Sequence, residues 1–332
     1  MSTPKVSVLV PVYNGAALIA RCLESVLAQE GRFLVELLVI DDGSTDDTIA
    51  VVQGLRQARL RLLAQENQGP AAARNAGLAQ ATGSYVAFLD ADDYWRPGFL
   101  AQTASFLETH PETVAVSVGQ LHKFPGKPDG IVPRFLEDYS QPRVPQILDS
   151  FFDFWARYNH VCTGSVLMRT DSARQTGGQR TGFRMCEDLE FWAYLATFGP
   201  WGFLPEVLFV SDGGFVTHQQ GWLTKNRRRW ASAPTVTDWE KRIVARLDPR
   251  ELDGFRRVRM RVAKNLAYAM ILSGRDRLAR DTLRYVDPQT RDRLGRTLLR
   301  ASHWGPVAWK ALCGCLRLRE AARDRRMRVG VR

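Results

Sequence analysis

The sequence predicts an α/β fold, a mixed but mainly parallel sheet flanked by helices, with a basic helical extension behind it. Three observations predict it. Short apolar runs alternate with helix-like stretches through the first half of the 332 residues, the pattern of a parallel sheet covered on both faces. Polar residues, mostly acidic, follow those apolar runs. The charge is also divided: Phe215 to Arg332 holds 29 Lys plus Arg against 11 Asp plus Glu, while the chain as a whole is only +11.

Val6 to Val10 reads as a buried strand. Ala16 to Gln29 places Leu18, Ile19, Cys22, Leu23, Val26 and Leu27 at helical spacing. Val35 to Ile40 is a second strand. Ser44 to Leu55 reads as a helix, with Ser44 as its N-cap. Leu60 to Ala64 is a third strand, and Pro70 to Ala81 an Ala-rich helix with Pro in its first turn. Tyr85 to Leu89 is a fourth strand. Lys123 to Pro145, rich in proline, reads as a loop. Ile147 to Tyr158 and Glu187 to Phe198 read as helices, Gly164 to Arg169 and Leu204 to Val210 as strands. Beyond Leu223 the strand signal ends, and Arg-rich helices are broken near Pro249, Gly274, Pro288 and Gly305. The expected division is a domain over residues 1–215 and a helical extension over 216–332.

A hydrophobic content of 45% supports a packed core. Apolar runs of the length a membrane-spanning helix needs are missing, and Met1 to Lys5 lacks a secretory layout. The five cysteines are odd in number and scattered, which argues against a disulfide framework and suits a reducing, cytoplasmic setting.

In an open parallel sheet, ligands bind at the carboxyl ends of the strands. Three strand ends carry Pro11-Val12-Tyr13-Asn14-Gly15, Asp41-Asp42-Gly43-Ser44 and Asp90-Ala91-Asp92-Asp93. Asp and Asn commonly cap helices and fill turns; three such ends on one rim point to a site. Asp90 and Asp92 form a hard oxygen pair suited to Mg²⁺ or Mn²⁺ beside a diphosphate. Asp93 reads equally as a third ligand or as a cap for the helix after Pro97. Asn67 to Pro70 with Arg74 reads as an anion site at a helix N-terminus, or Arg74 as an ordinary salt-bridged residue.

Four motifs together, Pro11-Val12-Tyr13-Asn14, Asp41-Asp42-Gly43-Ser44-Thr45-Asp46, Ala73-Arg74-Asn75-Ala76-Gly77 and Phe88-Leu89-Asp90-Ala91-Asp92-Asp93, resemble glycosyltransferase family 2 in order and spacing over residues 5 to about 110, and more loosely to about 212. The resemblance implies a GT-A fold and an inverting transferase that takes a sugar from a UDP- or GDP-type donor. It implies a donor-binding half over 5–120 and an acceptor half over 121–215. Pro11, Tyr13, Asn14 and Asp41 would hold the nucleotide, Asp42 and Arg74 would shape its pocket, Asp90 would meet the ribose or metal, and Asp92 would bind Mn²⁺ or Mg²⁺. Asp188 matches the general-base position, with Glu187 beside it; an ordinary acidic first turn is the bland alternative. Gly164 and Ser165 fall where an acceptor pocket opens, and His218 where a diphosphate contact is often supplied. Trp95, Trp155, Trp192, Trp201 and Trp222 read as sugar-stacking or, for most, as core residues.

The tail departs from the family pattern. Arg227 to Arg229 and Arg317 to Arg328 are its densest basic clusters, and Trp304, Val307, Ala308, Leu312, Cys315, Leu316 and Leu318 form an apolar group at loosely helical spacing. This suits a helix packed on the protein with a solvated basic face, or one lying peripherally on an anionic membrane; nucleic acid is not indicated. The expected partners are a nucleotide-sugar donor and a saccharide or lipid-linked acceptor in envelope polysaccharide or glycolipid synthesis. A degenerate nucleotide-binding assembly factor would lack Asp92 or Asp188, and a nucleotidyltransferase would carry a glycine-rich basic loop after the first strand. Neither departure is present.

Overall fold

The computed structural model describes residues 3–124, 127–133, 143–212, 222–288 and 293–329. The chain divides into two compact units, one of residues 1–181 and 187–216, the other of residues 182–186 and 217–332.

The first unit runs β1 (Lys5–Val12), α1 (Ile19–Leu27), β2 (Leu34–Asp41), α2 (Thr48–Gly54), β3 (Leu60–Ala64), α3 (Pro70–Gln80), β4 (Tyr85–Phe88), β5 (Tyr94–Trp95), α4 (Phe99–Thr109), β6 (Ala115–Phe124), β7 (Lys127–Ile131), β8 (Gln146–Ile147), α5 (Phe151–Arg157), β9 (Val166–Arg169), α6 (Thr170–Gln175), α7 (Glu187–Leu195) and β10 (Trp201–Ser211). The sheet order is β3-β2-β1-β4-β9-β6-β10-β5, with β7 beside β6 and β8 beside β10. β3, β2, β1 and β4 are parallel. β9 is antiparallel to β4 and to β6, so β6 and its parallel neighbour β10 point the same way as β4. The carboxyl ends of β1, β2, β4, β6 and β10 therefore share one rim, and the start of the reversed β9 joins them.

β1 and β2 are buried almost throughout because helices cover both faces. α3 lies close on them: a Cβ at Gly77 would stand 2.8 Å from the Ile40 Cδ1 atom. Three features differ from the sequence reading. The second helix starts at Thr48 rather than Ser44, because Ser44 is drawn into a tertiary contact and its hydroxyl accepts from the Asn14 amide. Lys127–Ile131, within the expected proline-rich loop, pairs with β6 as a strand. The expected helix from Ile147 begins only at Phe151, where Ser150 caps it by accepting from the Asp153 amide.

At the opposite end of β1 and β2, Glu36 is buried and accepts from the Ser7 hydroxyl at 2.6 Å and from the Thr82 amide and hydroxyl, each at 2.9 Å. Burial works to raise its carboxyl pKa, but these hydrogen bonds and Lys5 outweigh burial and lower it. The folded carboxyl thus holds its proton less tightly than the unfolded one. Its stabilisation is complete above the ordinary glutamate value of about 4.3 and fades as pH falls through the lower folded value. Glu36→Gln is expected to cost about 2 kcal/mol at neutral pH, and urea melts should show that difference shrinking below pH 4.

The second unit is helical: α8 (Trp222–Ala231), α9 (Val236–Val244), α10 (Leu252–Leu272), α11 (Asp276–Thr282), α12 (Arg293–Ser302) and α13 (Pro306–Val329). α10 is its hub and packs against α8, α9, α11 and α13, burying Phe255, Val258, Val262, Leu266 and Met270. The Arg317 guanidinium pairs with Asp276 at 2.6 Å and ties α13 to α11. No helix among the described residues is long and apolar enough to cross a membrane.

Candidate active site

The rim of the first unit gathers acidic side chains from four strand ends or helix starts. At the end of β1, Asn14 has φ +52°. Its amide donates to the Ser44 hydroxyl, and its carbonyl Oδ1 accepts from the Thr45 amide at 2.8 Å. The β1 and β2 termini are thereby locked together, leaving Pro11 buried and the Tyr13 ring 48% exposed at the rim. Asp41 is buried; its Oδ2 accepts from the Ser44 amide at 3.1 Å, and its Oδ1 has no hydrogen-bond partner among the described residues. A buried carboxylate oxygen with no donor is a place where a ligand donor is missing.

Asp42 is differently used. Its carboxylate accepts from the Gln65 side chain at 2.7 Å and from the amides of Gln68 at 2.8 Å and Gly69 at 2.7 Å. All this binding capacity is spent on the turn into α3, so Asp42 shapes the rim from beneath. α3 then presents Arg74, which is buried and donates to Asp90 at 2.6 Å and to Gln179 at 3.0 Å. Arg74 is thus salt-bridged to Asp90. Burial works against its charge, but Asp90, Glu187 and Asp188 outweigh burial and hold it protonated.

After β4 the chain turns tightly, with the Asp93 amide donating to the Asp90 carbonyl at 3.0 Å. Burial first, and the nearby Asp90 second, push the Asp92 carboxyl up to about 6. Asp93 is raised well above its usual range by burial and then by Asp92 and Asp90. It is buried, and its Oδ1 accepts from the Asp212 amide at 2.8 Å. Asp93 thus joins the β4 turn to the end of β10 and does not cap α4, whose N-cap is Gly98.

Asp188 opens α7 and is half-buried. Burial raises its pKa against the pull of Arg74, and Asp90 raises it further. Glu187 precedes it and is buried. The fields at Arg74 and Asp188 thus bring Asp90, Arg74, Glu187 and Asp188 into one neighbourhood, although they span more than a hundred residues of sequence.

On the acceptor side, Gly164 has φ +96°, and a Cβ there would stand 2.2 Å from the Phe209 ring. Its carbonyl accepts from the Trp95 indole at 2.7 Å. Ser165 is buried, and its hydroxyl accepts from the Cys162 amide at 3.0 Å and so holds the turn into β9. Gly164→Ala should cost about 3 kcal/mol from the disfavoured backbone and the ring clash, read as a lowered thermal midpoint. Trp95, Trp155, Trp192 and Trp201 are buried core residues, so none of them is free to stack on a sugar. His218 and the segment 213–221 lie outside the described residues.

Sequence reading missed several rim residues. Arg21 on α1 pairs with Asp212, donates to the Asp92 carbonyl at 2.9 Å, and lies over the Tyr94 ring. Lys123 stands 3.7 Å from the Asp212 carboxylate and over the same ring. Asp212 obeys the strand-end rule, following the apolar Leu208 to Val210 run, and was legible on that ground. Arg21 carries no local signal. The Cys162 thiol is another: burial raises it well above its usual value, and Asp93, Asp188 and Asp90 add to the effect.

The donor set fits a divalent cation. The Asp92 carboxyl, raised by burial and by Asp90, is short of positive charge, since Arg21 reaches only the Asp92 backbone carbonyl. Among the described residues no cluster of three or more His, Cys, Asp or Glu is arranged to hold a metal. Mg²⁺ and Mn²⁺ are commonly held by one or two carboxylates plus substrate phosphates and water, which matches Asp92 and Asp90.

A family model described as glycosyl transferase family 2 matches residues 7–175. The succinoglycan biosynthesis protein ExoO of Rhizobium meliloti (strain 1021) is 38% identical over 145 residues, 43% of this chain and 40% of that protein. The uncharacterized glycosyltransferase YibD of Escherichia coli (strain K12) is 44% identical over 94 residues, 28% of this chain and 27% of that protein. The match therefore spans well under two thirds of either relative. Among solved structures, TarS 1-349 of S. aureus gives a TM-score of 0.56 at 19% identity, covering 96% of this chain and 91% of that one. Mannosyltransferase PcManGT from Pyrobaculum calidifontis, in complex with GDP-Man and Mn²⁺, gives 0.56 at 19% identity, covering 94% of this chain and 85% of that one. At such identities the likeness shows the fold, which is GT-A.

Proposed function

The chain belongs to glycosyl transferase family 2, and from that premise we propose that it transfers a glycosyl group from a UDP- or GDP-type donor to an acceptor hydroxyl with inversion. The observation that carries this reading is the gathering of Asp90, Glu187 and Asp188 around the buried Arg74, on the rim whose strand ends also carry Asp41 and Asp92. Residues 5–120 serve the donor and residues 121–215 the acceptor, while 216–332 form an appended unit. A saccharide or lipid-linked saccharide in polysaccharide or glycolipid synthesis is the acceptor class, met on the cytoplasmic side of an anionic membrane. The relative named for succinoglycan biosynthesis supports the polysaccharide setting.

In this mechanism Pro11 and Tyr13 pack on the nucleotide base. The unsatisfied Asp41 Oδ1 takes a hydrogen bond from the base or ribose. Asn14 fixes the loop that frames it. Arg74 holds Asp90 in place, and Asp90 and Asp92 would hold Mn²⁺ or Mg²⁺ at the diphosphate. A bound divalent ion supplies Lewis-acid stabilisation of the leaving diphosphate. Asp188 accepts the proton of the acceptor hydroxyl, whose oxygen attacks the anomeric carbon from the face opposite the diphosphate. The carbon–oxygen bond to the diphosphate breaks with its electron pair on the leaving oxygen. The raised pKa of Asp188 suits a base that must take up a proton during the step. A thermal-shift screen of nucleotide-sugars with Mn²⁺ or Mg²⁺ tests this reading. One sugar nucleotide should raise the melting temperature only with metal; no shift with any nucleotide-sugar would refute it.

A further inference from the structure

We infer that the outward face of α13 is a docking surface covered by an anionic lipid leaflet, an inference that rests on the membrane placement proposed above. The apolar group expected in this segment resolves into two faces. The inner face buries Trp309, Cys313 and Leu316 at helical spacing, packed in a unit where α13 meets α8, α10 and α12. The opposite side carries Val307, Ala311, Gly314, Cys315, Leu318 and Ala322, which share one stripe at 100° per residue and hold no charge over four turns. Val307 is 83% exposed, Leu318 69%, and Trp304, just ahead of the helix, 49%. A solvent-facing helix side of this length ordinarily carries charged residues. Here the charges border the stripe: Lys310 and Arg319 flank it on either side, and exposed Arg300 stands near the end of the preceding helix.

Charge selects the occupant. Phe215 to Arg332 is +18, so a second copy placed face to face would oppose like charges. A nucleic acid would match the charge and leave the apolar stripe unused. An anionic leaflet matches both, with the stripe at the acyl boundary and the basic border at the headgroups. An exposed tryptophan beside the stripe suits that boundary. Docking there would hold the chain at the surface where a lipid-linked acceptor is carried.

The test is flotation of the full chain with vesicles of phosphatidylglycerol and phosphatidylcholine in equal parts, and with phosphatidylcholine alone. Wild type should float with the anionic vesicles and not with the neutral ones. Val307→Asp/Leu318→Asp should lower that partition by about tenfold or more, with an unchanged circular dichroism melt, since both side chains are exposed. Equal partition of variant and wild type, or no flotation of wild type, overturns the assignment. A wild-type dimer in light scattering that the double variant dissociates also overturns it, by giving the face to a second copy. Calorimetric titration with UDP or GDP and Mn²⁺ on the same proteins separates the readings: lost nucleotide binding with retained flotation removes the transferase reading and leaves the docking face.

Discussion

Asp188→Asn is expected to lower kcat by about 10²- to 10⁴-fold, the range removed with a general base, while donor affinity stays within about twofold, since the proposed donor contacts lie on β1, β2 and the β4 turn. The substitution keeps size and the start of α7 and deletes only the capacity to accept a proton. The loss has to appear in kcat, because the proton moves only as the acceptor hydroxyl attacks. Burial and Asp90 raise the Asp188 pKa, and Arg74 pulls it down. In the wild type, activity should therefore be present above that raised value and be lost as pH falls through it. Stopped assays with radiolabelled donor, beside calorimetry of UDP or GDP binding, separate the two quantities. Near-normal turnover would remove Asp188 from the role of base.

Asp92→Asn is expected to weaken metal-dependent donor binding by on the order of 100-fold or more, because a Lewis-acid contact to the diphosphate is worth several kcal/mol at about 1.4 kcal/mol per tenfold. Asp92 is singled out from its neighbours by its surroundings. Asp93 is committed to the Asp212 amide, and Asp90 already neutralises Arg74. Asp92 has Arg21 only on its carbonyl and a carboxyl pushed up to about 6 by burial and by Asp90. The amide replacement also removes the repulsion from Asp90, so the protein should fold at least as well as wild type. Calorimetry in Mn²⁺ and in EDTA reads the effect. Equal UDP and GDP affinities for wild type and variant would refute the metal role.

The strand ends were legible in the sequence because the physics there is local. An apolar run of five or six residues that stops at Asp or Asn marks both a buried strand and the rim it reaches, and Asp41, Asp90 and Asp92 follow directly. Strand direction was not legible. Val166–Arg169 reads as apolar whichever way it runs, and its antiparallel insertion between β4 and β6 depends on partners far along the chain. Ser44 misled for a related reason: its cap signature is real, but the Asn14 amide, thirty residues earlier, takes its hydroxyl. Arg21 with Asp212 spans 191 positions, and nothing near either residue announces the other. The tail's two faces also needed the structure, since loosely helical spacing does not say which side of α13 meets a core.

The most direct measurement is electron paramagnetic resonance of Mn²⁺ titrated with the protein in the presence and absence of UDP or GDP. Convergence of Asp90 and Asp92 at the diphosphate predicts that the free-ion signal is quenched strongly only when protein and nucleotide are both present, and that Asp92→Asn abolishes this quenching. Full-strength nucleotide binding in EDTA, with no nucleotide-dependent capture of Mn²⁺, would contradict it.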